Sequence, residues 1–448
     1  MPTQISYPIA DSRSYLWFVG SLLLAPFCYG QWTVASAPWL VAALSLRFVR
    51  SQKTWIGFIL LALSAAAATA LFAWQGSIPF SGPTLAGVIV FSALISPLPL
   101  LADRYISSRL PGFVSTLSYP CIATAAEYLA MDNNPWGSFG AMAYTQYGNL
   151  ALMQIVSITG IWGLNFLINW FGSVVNWAWQ NAFIWREIRS GALVFAGVLI
   201  AVLTYGGARL TFAPTPQTTV RIASFTAMDN RVEVPALWQL LPNDRDSFRR
   251  KTRAIHQRYL DETERQARAG ARLVLWPEGA GIGAMEDEEG LLEKGGALAK
   301  REGIYLAMPL FLKAIKDEMA NVNKLVVLDP QGQIVFEHYK FGGNMFEGSQ
   351  PGNGQLKTFA TPFGTITGAI CWDMDFPANI AQSSDIGADI LLAPAADFLA
   401  VHPLHAEMSV FRAIENGISL VRQADNGLSL ASDPYGRILA SMDHFSRW

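Results

Sequence analysis

Three side chains able to do covalent chemistry close apolar runs in the second half of this sequence. Glu278 follows "LVLWP", Lys340 follows "VFEHY" and Cys371 follows "ITGAI". Brought together, they would make a nucleophilic site. A carboxylate can take the proton of a thiol, and the thiolate is the attacking form of cysteine. An ammonium, helped by backbone N–H groups after the cysteine, would stabilise the oxyanion of a tetrahedral intermediate. Each residue alone also has an ordinary reading. A cysteine after an apolar strand is a small buried hydrophobe, an acid after proline is a loop cap, and a lysine after tyrosine is a solvated strand end.

The surrounding pattern supplies elements that could position them. Apolar runs at 220–225, 272–277, 303–311, 323–330, 332–339, 364–372, 388–396 and 417–425 read as buried strands. Charged helical stretches at 244–271 and 403–417 fall between them. Alternating strands and amphipathic helices predict an α/β sheet layered by helices, with chemistry where strands end.

The first half is of another kind. The chain has 448 residues, 52% of them hydrophobic, yet only eight of its 32 Lys/Arg and five of its 34 acids fall within 1–205. Apolar runs near 15–33, 36–49, 55–75, 83–102, 112–130, 149–178 and 190–207 predict seven membrane spans, since about 20 apolar residues cross the hydrocarbon layer. The first run is read as a retained span rather than a cleaved signal. Arg47, Arg50 and Lys53, then Arg104 and Arg109, then Arg186 and Arg189 follow alternate runs, and the intervening loops hold no Lys or Arg. The positive-inside rule then puts the amino terminus in the cytoplasm and everything after residue 207 outside it. The expected organisation is a transmembrane helical domain over 1–210, a proline-containing linker over 211–219 and an extracytoplasmic α/β domain over 220–448. Cys28, Cys121 and Cys371 are too few for a disulfide framework, and neither a metal nor an organic cofactor is expected. No basic stripe suggests nucleic acid.

The order "WPEG" … "YK" … "CWDMDFP" resembles the carbon–nitrogen hydrolase (nitrilase) superfamily, and the likeness runs across 220–440 through "GADILLAP" and "HAEMSVFRAIENGISLVRQADNGLSLASDPYGRIL", which looks like that family's helix and the strand pair after it. It implies a nitrilase-like four-layer αββα sandwich with Glu278 as general base, Lys340 as oxyanion stabiliser and Cys371 as nucleophile. The stretch 127–169, with Glu127, Pro135, Trp136, Gly140, Tyr144, Gln146 and Gln154, is similar to the apolipoprotein N-acyltransferases, the membrane-embedded branch of that superfamily. The likeness implies a bacterial inner-membrane enzyme that takes an acyl chain from phospholipid onto Cys371 and passes it to the amino group of a diacylglyceryl lipoprotein. It also implies supporting or substrate contacts at Glu347, Trp372, Asp373 and Glu127. Met345, Phe346 and Phe398, with Trp372, either line an entrance for the lipid or belong to the core.

Some positions depart from that branch. Asp373 stands where the transferases carry Glu, Ala130 where they carry Arg, and "APAADFLAVHP" replaces the usual loop over the site. A further span is expected after the α/β domain, and the sequence ends at Trp448, so either it is cut short or it anchors the domain differently. The competing readings are a membrane-tethered amidase, a transferase with another amine acceptor, or a non-catalytic scaffold; Glu278, Lys340 and Cys371 in order argue against the last. The enzyme is expected to act as a monomer.

Overall fold

In a computed structural model, residues 12–445 are described, apart from 79, 132–133, 215–217 and 315–320. Part of the expected 211–219 linker therefore lies outside the described residues. Residues 1–134 and 140–212 form one compact unit; 135–139 and 213–448 form the other.

The first unit is helical: α1 (Ser14–Leu24), α2 (Ala37–Ser51), α3 (Thr54–Trp74), α4 (Gly82–Ile95), α5 (Leu98–Ser107), α6 (Ser118–Met131), α7 (Leu150–Met153), α8 (Val156–Thr159), α9 (Ile161–Gln180) and α10 (Trp185–Thr211). Proline opens α2, α4 and α5, where its missing N–H costs no hydrogen bond. Among the described residues three helices are long and apolar enough to cross a membrane: Thr54–Trp74, Gly82–Ser107 and Trp185–Thr211. A fourth crossing requires counting Leu150–Thr159 and Ile161–Gln180 as one span broken by a 118° bend. The remaining expected spans give shorter helices for local reasons. Pro26 turns the end of α1 into a 3₁₀ segment, and Pro111–Gly112 delays α6, leaving it 14 residues. Inside the unit Arg50 forms a two-pronged, fully buried pair with Asp103, at 2.8 to 3.1 Å. Arg104 in turn donates to the carbonyls of Val49 and Gln52, so the basic ends of α2 and α5 adjoin.

The second unit contains two six-stranded sheets. Its strands are β1 (Ile222–Ser224), β2 (Leu273–Leu275), β3 (Gly281–Ala284), β4 (Tyr305–Lys313), β5 (Val322–Leu328), β6 (Ile334–Tyr339), β7 (Phe359–Thr361), β8 (Gly364–Gly368), β9 (Ile390–Ala396), β10 (Ser419–Asp425), β11 (Leu428–Ser432) and β12 (Ile438–Asp443). The first sheet runs β1-β2-β4-β5-β6, with β3 also pairing β4; the second runs β12-β11-β10-β9-β8-β7. Strand alternation sorts the core into layers. Leu273 and Leu275 point toward Ile366, Ile390 and Leu392 of the other sheet. Val274 and Trp276 point outward, to α11 (Asn230–Leu240), α12 (Arg245–Arg268) and α13 (Glu288–Glu302). The buried positions Phe248, Thr252, Ile255, His256, Tyr259 and Thr263 of α12 recur at three- and four-residue steps, which is one helix face. Helices α15 (Pro377–Asp385) and α16 (Leu404–Asn416) cover the second sheet, with α14 (Asn344–Glu347) a single turn before it. The layering is the expected helix–sheet–sheet–helix order.

Strands β3, β7 and β12 carry too short or too exposed a segment to give a periodic signal, whereas β10 and β11 are the strand pair expected after the helix within 405–439. The expected strand over 364–372 ends at Gly368, and Cys371 opens a 3₁₀ turn instead.

Candidate active site

Three strand ends converge on one buried position. Glu278 stands three residues past β2, where Trp276 still pairs with Ala307 and donates from its indole to Thr263 at 2.9 Å, pinning the strand end. Lys340 follows β6 directly, its N–H bonded to the Asn323 carbonyl. Cys371 follows β8 through Ala369, which pairs with Leu392, and begins the 3₁₀ turn Cys371–Asp375. Its φ is +48°, a region L-residues seldom occupy, and it is one of four non-glycine residues with positive φ among those described. Strain of that sort recurs at functional sites, where the surrounding bonds enforce it.

The side chains then meet. Lys340 Nζ donates to Glu278 Oε1 and to Glu347 Oε2, both at 2.7 Å. Asn323 donates to both carboxylates, at 2.8 and 3.1 Å, and the Ala396 N–H donates to Glu278 Oε2 at 2.9 Å. The Cys371 thiol lies near enough to Glu278 for each to feel the other's charge. Burial alone would raise the Glu278 pKa, but the Lys340 charge and the hydrogen bonds outweigh it and hold the carboxyl below its usual range. Burial opposes the Lys340 charge, and Glu278 and Glu347 more than restore it. The Cys371 thiol is pushed well up by burial and by Glu278. Burial likewise raises Glu347, against the pull of Lys340. At rest the site therefore holds an ammonium, an ionised Glu278 and a neutral thiol. A carboxylate poised on a thiol can accept its proton, and the ammonium can meet a developing oxyanion.

The four supporting residues fare differently. Glu347 is in the site, bonded to Lys340 and to Ser349 at 2.5 Å. Asp373 accepts four hydrogen bonds: from Phe341 and Gly342 N–H at 3.0 and 2.8 Å, from Ile370 N–H at 2.8 Å, and from His338 at 2.8 Å. It straps the cysteine turn to the segment after Lys340. Trp372 stacks on Phe346, with centroids 5.0 Å apart and planes 9° from parallel. Gly343, at φ +73°, lies under that indole, where a Cβ would come within 2.7 Å of the ring. Met345 and Phe398 are 69% and 39% exposed, so they belong to the surface, whereas Phe346 and Trp372 pack on each other. Glu127 belongs to the helical unit, where it accepts from Met142 N–H at 3.3 Å and from Asn165 at 2.6 Å.

Residues not singled out from sequence surround the sulfur as well. Asp397 binds Arg422 through both oxygens, at 2.8 and 2.9 Å, and His405 Nδ1 at 2.8 Å. His405 Nε2 stands 3.4 Å from Asp375. Burial works against the His405 charge, but Asp375 and Asp397 prevail and carry its pKa up to about 9. Burial would raise Asp397, but Arg422 and His405 hold it far below the ordinary carboxylate range. Cys371, Asp397 and His405 each bring a ligand atom within 4.8 Å of the others. The Asp397 oxygens are engaged by a guanidinium and a cationic imidazole, so the group is an ion cluster rather than a set of free metal ligands.

A short segment from far upstream completes this unit. Ser138 donates its N–H and hydroxyl to the Asp375 carbonyl, at 2.7 and 2.8 Å. Trp136 lies against Phe346 and Phe139 against His405, at centroid separations of 5.9 and 6.4 Å. Gly137, at φ +54°, leaves room for the Asp375 carbonyl only because it lacks a Cβ, which would sit 2.4 Å from that oxygen.

Residues 236–447 match the carbon–nitrogen hydrolase family and residues 18–174 match the apolipoprotein N-acyltransferase N-terminal domain. An apolipoprotein N-acyltransferase from Geobacter metallireducens is 27% identical over 395 residues, covering 80% of this chain and 72% of that protein. Another from Rhodopseudomonas palustris is 25% identical over 397 residues, covering 80% and 71%. A deaminated glutathione amidase from Bos taurus is 29% identical over 209 residues, covering 39% of this chain and 64% of that protein. Among solved structures, an amidase from Nesterenkonia sp. AN1 superposes with a TM-score of 0.40 at 18% identity, covering 52% of this chain and 89% of that one. The segment 135–139 lies within the N-terminal match yet folds with the hydrolase unit.

Proposed function

We infer that this chain, which belongs to the apolipoprotein N-acyltransferase family, is a membrane acyltransferase that moves an acyl chain from phospholipid, through a Cys371 thioester, to an amine. The acceptor is the N-terminal amino group of a diacylglyceryl lipoprotein. The observation that carries this reading is the meeting of one ionised carboxylate, one ammonium and one neutral thiol, delivered by three different strand ends.

In the first half-reaction Glu278 takes the thiol proton, and the Cys371 thiolate attacks the ester carbonyl carbon. Lys340 faces the tetrahedral oxyanion, supported by Glu347 behind it. The carbon–oxygen bond to the glycerol then breaks, the alkoxide takes the proton back from Glu278, and a lysophospholipid leaves. In the second half-reaction a neutral amine attacks the thioester and gives its proton to Glu278. The carbon–sulfur bond breaks, the amide departs, and the thiolate regains the proton. Asp373 positions the nucleophile turn through its four hydrogen bonds, and the family resemblance supports a substrate or packing role for Trp372 and Glu127.

The setting we propose is a multi-pass inner-membrane protein with seven crossings, acting as a monomer, its hydrolase unit on the extracytoplasmic side. The alternation of basic and base-free loops supports that orientation. Hydrolysis of the thioester, an amidase-like outcome, is the second reading, supported by the amidase among the relatives. Intact-mass analysis separates the two. Incubation with phospholipid should add an acyl group that is absent in Cys371→Ala, and a lipopeptide acceptor should remove it with formation of an amide. Release of free fatty acid with the acceptor present would favour hydrolysis, and no adduct at all would end the reading.

A further inference from the structure

An ion cluster lies beside the sulfur. Two carboxyls, one imidazole and one guanidinium, from four separate places in the chain, are packed without exposure around a residue that must become an anion during the reaction. Asp397 comes from the end of β9, Arg422 from within β10, His405 from the first turn of α16 and Asp375 from the nucleophile's own turn. Arg422 also donates to the Leu428 carbonyl at 3.1 Å, which fixes its fork toward Asp397. Within 4.8 Å of the thiol, then, lies a carboxylate whose charge would oppose a thiolate, covered by two cations that would favour one.

We propose that the Asp375–His405–Asp397–Arg422 cluster sets the charge felt by the Cys371 sulfur, with His405 easing and Asp397 opposing formation of the thiolate. The inference rests on reading Cys371 as the nucleophile; it extends that reading to residues outside the Glu–Lys–Cys set. Asp397 and His405 act as positioning residues, since their effect is exerted through the sulfur. The other charges that bear on this neighbourhood are Glu278 after β2, Lys340 after β6, Glu347 of α14 and Arg412 of α16. The first three supply the proton acceptor and its counter-charge. The cluster sets how costly it is for the sulfur to release that proton and, in the second half-reaction, to leave as a thiolate. Two cations against two carboxylates keep that cost moderate; removing one member tips the balance in a direction fixed by its sign.

The test is the rate at which iodoacetamide alkylates Cys371 in the full-length, detergent-solubilised chain. The thiolate displaces iodide, and the rate is read across pH on the peptide containing Cys371, which excludes Cys28 and Cys121. At a pH below the thiol pKa, Asp397→Asn should react faster and His405→Gln slower, each by about tenfold for a one-unit shift of the thiol. Two variants that merely loosen the fold would shift the rate in the same direction. Parallel changes, or no change in either, would overturn the proposal. If His405→Gln does not fold, Arg422→Gln serves in its place: loss of that cation should slow alkylation, opposite to Asp397→Asn, and an unchanged or faster rate would overturn the proposal. Alkylation needs no lipid, so opposed shifts without any acyl adduct would leave this inference standing and remove the transferase reading.

Discussion

Asp373 and Gly342 are joined by a 2.8 Å hydrogen bond from the glycine N–H to the carboxylate, and through it the Cys371 turn is tied to the strand end that delivers Lys340. Phe341, Ile370 and His338 donate to the same carboxylate, so all of its lone-pair directions serve to hold Cys371 and Lys340 in register. Asp373→Asn replaces one acceptor oxygen by a donor facing other donors. It should lower the stability of the hydrolase unit by about 2–4 kcal/mol and slow acyl-adduct formation; an unchanged melting temperature and adduct rate would show that the strap is dispensable.

Cys371→Ala, Glu278→Gln and Lys340→Met should all abolish adduct formation, yet they should differ in stability. The alanine removes a neutral thiol, and glutamine keeps the shape and one acceptor oxygen. The methionine leaves Glu278 and Glu347 buried without their shared ammonium, at a cost of about 3–5 kcal/mol. Thermal unfolding ranks the three, and normal acylation by any of them would mean the roles are misassigned.

His405 predicts a pH dependence of stability. Its folded pKa, about 9, lies above the ordinary histidine value, so the folded state binds the proton more tightly. The contribution is complete below roughly pH 6.5 and fades as the pH rises through about 9. The native protein should therefore lose stability between neutrality and pH 9.5 to an extent that His405→Gln does not, and parallel profiles would contradict the ion cluster.

Gly137→Ala should disturb the site from a distance of more than two hundred residues in sequence. The new methyl would collide with the Asp375 carbonyl and the backbone already has a positive φ. A penalty of roughly 1–3 kcal/mol should fall on the segment's docking, seen as faster hydrogen exchange over 371–375 and a lower adduct rate. Unaltered exchange there would mean that Ser138 does not hold the turn.

A reporter fused after Thr219 should be active only outside the cytoplasm. Activity in the cytoplasm would contradict the orientation drawn from Arg47, Arg50, Lys53, Arg104, Arg109, Arg186 and Arg189.

The parts of the site that were legible in sequence share a cause. Glu278, Lys340 and Cys371 are polar residues that stop apolar runs, while Asp373 and Glu347 were reached only through the family resemblance. Asn323, Asp397, His405 and Arg422 gave no such signal. Arg422 sits inside a strand and His405 inside a helix, where one charge among apolar neighbours looks like an irregularity until its partner is seen across the sheet. The helices of the first unit were legible in place but not in length, since hydropathy averages over Pro26, Pro111 and Gly160 while the backbone does not.

Trp136, Gly137, Ser138 and Phe139 are encoded upstream of the hydrolase sequence but are walls of the hydrolase unit. A recombination event that exchanged everything after Ala213 for the equivalent piece of a cousin would therefore import a socket without its plug. Inheritance of these two portions is coupled at a joint of five residues, and any chimera or excised domain made from this chain would have to carry that joint along.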